Sequence, residues 1–151
     1  MVRKVAAVAG AIVFVAAAVA ATSPAARVYR ELGLFGTWAP NCAEPASPDN
    51  PHVSVANGEK GLVLEQDDFG ADYEINRYLI VAARRMKDHR VAVDALFAQD
   101  GAEPKRQLII MHVVDRTRRT MFTGTGDAPP LVKDGIAVAN GQPTPQLNKC
   151  D

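Results

Sequence analysis

The stretch Leu34-Phe35-Gly36-Thr37-Trp38-Ala39-Pro40-Asn41-Cys42 constrains this chain more than any other. It holds the single tryptophan and one of the two cysteines; the other, Cys150, is the penultimate residue. A bond between Cys42 and Cys150 would turn nearly the whole domain into one closed loop. In the chain-entropy description, closing a loop of about a hundred residues stabilises a fold by roughly 4–5 kcal/mol. Two free thiols or an intermolecular bridge are the alternatives. No C-x-x-C spacing points to metal or redox chemistry.

Whether such a bridge forms depends on the compartment, and the N-terminus speaks to that. Met1-Val2-Arg3-Lys4 is a short basic start. Val5 to Ala21 is an uncharged run ending in Val19-Ala20-Ala21, which places small residues at a cleavage site. This is the three-part pattern of a secretory signal peptide. The run is mostly alanine and short for a span, which wants about 20 strongly apolar residues. Cleavage after residue 21 is therefore expected, with a periplasmic or secreted product that is not an integral membrane protein. Disulfides persist in such compartments. Cys42 does not follow a lipoprotein-type site.

The segments expected are a signal peptide at 1–21, a leader at 22–33 and one domain at 34–151. Ser23-Pro24 reads as a helix N-cap with proline at the first helical position, and Gly33 as its stop, so the leader includes a possible short helix. The full chain has 17 basic and 17 acidic residues. Removing Arg3 and Lys4 leaves a mature charge of about −2, which excludes a general nucleic-acid binder.

Pro40, Pro45, Pro48 and Pro51 make the next stretch an extended loop. From His52 onward the chain reads as strands joined by turns. Val91, Val93, Ala95 and Phe97 share one face, as do Gln107, Ile109, Met111 and Val113. Asp134-Gly135 can form a tight hairpin turn. Residues 82–98 also fit helical spacing, but Val91, Val93 and the turn-like Lys87-Asp88-His89 favour a hairpin. The fold class expected is all-β: an antiparallel meander of about eight strands, a small closed or partly open barrel tied by one disulfide. The eighth strand is expected to end near Val138. The tail from Ala139 to Cys150 would then run back along the barrel, with Asn140-Gly141 beside the arginine-bearing tips.

Gly36-Thr37-Trp38 on a first strand resembles the G-x-W start of lipocalin-like and avidin-like barrels. Gly36-Thr37-Trp38-Ala39-Pro40-Asn41-Cys42 with the tail Thr144-Pro145-Gln146-Leu147-Asn148-Lys149-Cys150 resembles a group of small secreted bacterial proteins of unknown function. That resemblance implies export, β structure and a Cys42–Cys150 bridge, and it implies no activity. Gly36 and Trp38 are structural anchors in this reading.

Chemistry-bearing patterns are sparse. His52, His89 and His112 lack zinc-site spacing, and Ser47 and Ser54 lie outside G-x-S-x-G, so no catalytic residue, metal ligand or cofactor is assigned. Glu65 to Glu74 reads as a solvated acidic hairpin tip, with a weak cation site as the sharper alternative. In an up-and-down sheet the tips near 57–61, 84–90 and 115–119 fall at one end. They carry Arg84, Arg85, Arg90, Arg116, Arg118 and Arg119, a candidate rim for an anionic ligand or partner.

The leading functional expectation is an exported, non-enzymatic barrel that binds a small apolar or amphiphilic ligand in the cell envelope. The alternative is an interaction module, an inhibitor or assembly factor that meets an envelope protein with a filled core; an enzyme stands third. An open interior favours the first and an exposed apolar patch the second.

Overall fold

The computed structural model describes residues 21–99 and 102–151. Residues 1–20 of the expected signal peptide and the tip residues Asp100-Gly101 lie outside the described residues. Among the described residues no helix is long and apolar enough to cross a membrane.

The first element is helix α1, Pro24–Glu31. Ser23 caps it: its Oγ accepts from Ala26 N at 3.1 Å, and proline sits in the first turn, where a missing N–H costs nothing. Among the described residues ten strands follow: β1 Gly36–Ala39, β2 His52–Asn57, β3 Val63–Asp68, β4 Asn76–Arg85, β5 Arg90–Ala98, β6 Lys105–Val114, β7 Thr117–Gly124, β8 Val132–Lys133, β9 Ile136–Ala137 and β10 Gln146–Lys149. β1 to β7 pair in sequence order, and β10 pairs with both β7 and β1, closing an eight-stranded antiparallel barrel. Residues 82–98 are the two strands of a hairpin and not a helix. Its tight turn holds Asp88 and His89 at φ of 57° and 56°, a left-handed pair that matches the strand twist.

Closure comes from a different segment than the sequence suggests. The hairpin of β8 and β9, turning at Asp134-Gly135 as expected, pairs only with the far half of β7, at Thr123↔Val132. The near half of β7 pairs with β10, with Leu147 opposite Arg118. The tail therefore does not drape over a seam: it is the eighth barrel strand. Its end, not its start, lies at the arginine-bearing tips, where Lys149 N donates to Arg116 O and Cys150 N to Thr37 O. The signal was faint because Leu147 is the one apolar residue in this four-residue strand.

Cys42 and Cys150 are bonded, with Cα atoms 5.4 Å apart across a sequence separation of 108. The disulfide ties the loop after β1 to the end of β10. Asn50 organises that proline-rich loop. Its side chain accepts from Asn41 N and donates to the carbonyls of Asn41 and Pro45.

Period-two alternation sends Trp38, Val53, Val55, Val63, Ile80, Val91, Val93, Ala95, Met111, Val113 and Leu147 inward, where they form one core with Ala25, Ala26, Tyr29 and Leu34. Bulges between Ile80 and Ala82 and beside Met111 bend the sheet round on itself. Helix α1 closes one end. Ser23 N donates to Gly61 O, Glu31 pairs with Arg85 at 3.1 Å, and Tyr29 reaches inward between them. This is the end that carries the 57–61, 85–90 and 114–117 turns. Gly36 has φ of 114°, and a Cβ there would meet the Asp151 carboxylate at 2.6 Å, so the strand start accepts no side chain without strain.

Candidate functional site

Above the packed end, the interior is not filled. A cavity of about 300 Å³ lies inside the barrel, lined by residues of β2, β3, β4, β6, β7, β8 and β10 and by Pro51, Phe69, Thr144 and Pro145. That is the small end of the range for small-molecule sites. Pro51 precedes β2, Phe69 follows β3, and Thr123 and Val132 sit where β7 leaves the barrel. The cavity thus opens away from α1, at the end opposite the arginine-bearing turns.

Its floor is built by strand register. On β3 alternation directs Val63, Glu65 and Asp67 inward. Tyr78 of β4 is directly opposite Glu65, and Arg118 of β7 lies beside Leu147 of β10. Arg118 crosses the interior to Glu65 in a bidentate pair, Nη1 to Oε1 at 3.0 Å and Nη2 to Oε2 at 3.1 Å. The Tyr29 hydroxyl, from the helix, donates to the same Oε1 at 2.9 Å. The guanidinium also lies over the Trp38 ring, 5.4 Å from its centroid, and Lys149 Nζ lies over the same ring at 5.6 Å. Trp38 Nε1 donates to Leu34 O at 2.9 Å, so the indole N–H of this aromatic anchor is engaged.

Burial and charge shape the titration of these groups. Burial raises the Tyr29 hydroxyl well above the usual tyrosine range, and the neighbouring Glu65 carboxylate adds to it. Burial alone would lower Arg118, yet Glu65 outweighs it and holds the guanidinium more firmly charged. Asp67 is pushed up to about 7, first by burial and then by Glu65, with Arg118 and the Tyr78 hydrogen bond opposing. The part of Asp67 that stays accessible faces the cavity. Tyr78 is raised by burial and by Asp67, and its ring packs on Phe97 at 5.0 Å between centroids.

The upper wall is mixed. Val53, Phe69, Ile109, Met111, Val132 and Leu147 supply apolar surface, while Gln107, Thr120, Thr123 and Thr144 supply hydrogen-bonding groups. The arrangement can take a molecule with one polar end and an apolar body.

The six arginines expected at the rim separate. Arg118 is inside the barrel and 4 % exposed, not at a rim. Arg85 is engaged with Glu31, and Arg116 donates to main-chain oxygens of Lys149 and Asp151. Arg119 donates to Gly135 O at 2.7 Å and Thr144 Oγ1 at 3.1 Å, fastening the β8–β9 hairpin and the tail. Arg84 and Arg90 are exposed. Arg90, His112, Arg119 and Gln146 line up across four strands on the outer face, in a groove of about 320 Å³. The acidic segment divides as well. Glu65 and Asp67 belong to the interior, whereas Asp68 accepts from Gly70 N at 2.8 Å in the turn beyond.

From sequence, Glu65, Asp67, Tyr29, Tyr78 and Gln107 were not singled out as interior residues. The available signal was parity. Val53 and Val55 alternate on β2, and the paired positions of β3 are Asp67 and Glu65. Comparison of the chain with protein-family models, with curated proteins and with solved structures found no match in any of the three.

Proposed function

We propose that this is an exported, non-enzymatic barrel that binds a small amphiphilic ligand in the cell envelope. The observation carrying this reading is the interior cavity of about 300 Å³, with a charged floor at Glu65, Asp67 and Arg118 and apolar walls above. A barrel whose only task was structural would fill this volume with side chains, as happens at the α1 end. The disulfide accords with an oxidising compartment. Native mass spectrometry of the mature protein, purified from its own compartment, tests the reading. A retained small molecule that is displaced on denaturation is the expected result; a mass equal to the bare chain in every charge state would count against it.

A second reading has its own observation. Leu131, Ile136 and Val138 are exposed on and beside the β8–β9 hairpin, at 58 %, 38 % and 56 %. An apolar patch of this kind suits an interaction module docking on an envelope protein. Leu131→Ser with Val138→Ser would then abolish capture of that protein and leave ligand retention intact.

A further inference from the structure

The charge balance inside the cavity names the ligand's polar end, an inference that rests on the cavity being a ligand site. Among the described residues lining it, Arg118 is the sole cation, facing two carboxylates, Glu65 and Asp67. The forked face of Arg118 is consumed by Glu65, and its Nε is sealed from solvent with no hydrogen-bond partner. The Arg118 charge is therefore already offset by Glu65, and an anionic head would compete with that carboxylate for it. Both Glu65 oxygens are also held, one of them by Tyr29 as well. Asp67 remains, accessible to the cavity and partnered by the Tyr78 hydroxyl. With Asp67 ionised, the floor carries one negative charge without a counter-ion in a low-dielectric enclosure, a costly state unless a cation joins it. The Phe69 ring in the same wall is a further favourable surface for a cation.

We infer that the cavity selects a small amphiphilic amine, its ammonium against Asp67 and its apolar body along Val53, Ile109 and Met111. An amphiphile with a carboxylate head would face Asp67 and Glu65 with no free cation to offset them.

Binding of such an amine depends on pH with a definite sign. The charged or titratable groups around Asp67 are Glu65 on β3, Tyr78 on β4 and Arg118 on β7, with Tyr29 of α1 behind Glu65; its neighbour on β2 is Val53. Near neutrality Asp67 is partly protonated. An arriving ammonium favours the ionised form, so binding releases a proton and weakens as pH falls.

The experiment is calorimetric titration of three matched probes, octylammonium, 1-octanol and octanoate, into the mature protein at pH 8. Octylammonium is expected to bind at least about ten-fold more tightly than 1-octanol, a gap of about 1.4 kcal/mol, with octanoate weakest. Lowering the pH to 5.5 weakens octylammonium by more than about ten-fold and leaves 1-octanol within about two-fold, as follows from protonating Asp67. Asp67→Asn brings octylammonium to the level of 1-octanol and removes its pH dependence, while unchanged 1-octanol binding shows that the variant is folded. Octanoate binding as tightly as the amine, or an unaltered amine affinity in Asp67→Asn, overturns the inference. If 1-octanol binds and the amine binds no better, the amine preference falls while the cavity reading stands. If none of the three binds, both fall together.

Discussion

Arg118 and Glu65 meet inside the barrel through two parallel hydrogen bonds of 3.0 and 3.1 Å, and both side chains are buried. The pair joins β3 to β7 across the interior and stands between the packed end and the cavity. An ion pair removed from water gains from its geometry but pays desolvation on both partners. Removing one partner strands the other.

Glu65→Leu or Arg118→Met alone should therefore destabilise the protein by about 3–5 kcal/mol. The double variant should lose less than either single one, leaving mainly the Tyr29 hydroxyl without its acceptor. Urea denaturation of the three variants measures the coupling. Additive losses would show that the two side chains act independently.

Tyr29 makes α1 part of the barrel. Its ring is fully buried and its hydroxyl bonds a carboxylate. Tyr29→Phe should cost roughly 1.5–3 kcal/mol, the range for a hydrogen bond to a charged group. Tyr29→Ala should cost about 3–5 kcal/mol, as for other large aromatic truncations, and loosen the helix from its end of the barrel. Hydrogen exchange across residues 24–31 reads the loosening directly.

Cys150→Ser should lower stability by up to roughly 4–5 kcal/mol, since the crosslink closes a loop of 108 residues. Its effect should fall mainly on the unfolded state. A reducing agent should reproduce the loss in the native sequence and change nothing in the variant.

Stability should fall as pH rises from about 4 to about 7 through the contribution of Asp67. Its folded value, about 7, lies above the ordinary aspartate value of 3.8, so over that interval the native state holds a proton that the unfolded state has released. Stability declines with pH wherever the native state binds more protons. The contribution is fully present below the unfolded value and lost above the folded one. Each unit of displacement corresponds to about 1.4 kcal/mol, so the whole effect is on the order of a few kcal/mol. Asp67→Asn should flatten this part of the pH–stability profile, measured by denaturation at fixed ionic strength.

How far the sequence could be read depended on how many residues repeat a pattern. Val91, Val93 and Ala95 alternate long enough to reveal the strand and its buried face, which the structure bears out. The disulfide and the barrel class followed from two cysteines and evenly spaced turns, and both are present. β10 was missed because four residues with a single apolar side chain carry almost no periodicity, and its pairing with β7 is wholly non-local. The interior charges were missed for a different reason. Glu65, Asp67 and Arg118 lie in locally charged segments, where a solvated turn is the ordinary reading. Which face each occupies depends on register with β2 and on the bulge near Met111, which shifts parity along β7. Arg118 and Arg119 are neighbours in sequence, yet one is sealed in the barrel and the other braces the hairpin outside.

Calorimetric titration of 1-octanol into the native protein and into Thr123→Trp asks whether the barrel interior is a binding site. Thr123 lines the cavity near its open side, so the indole fills the space a ligand would take. Circular dichroism and thermal unfolding establish that the variant keeps its fold. Saturable binding at one site in the native protein, lost in Thr123→Trp, is the predicted result. No binding to the native protein, or equal binding to both, would show that the interior is not a ligand site.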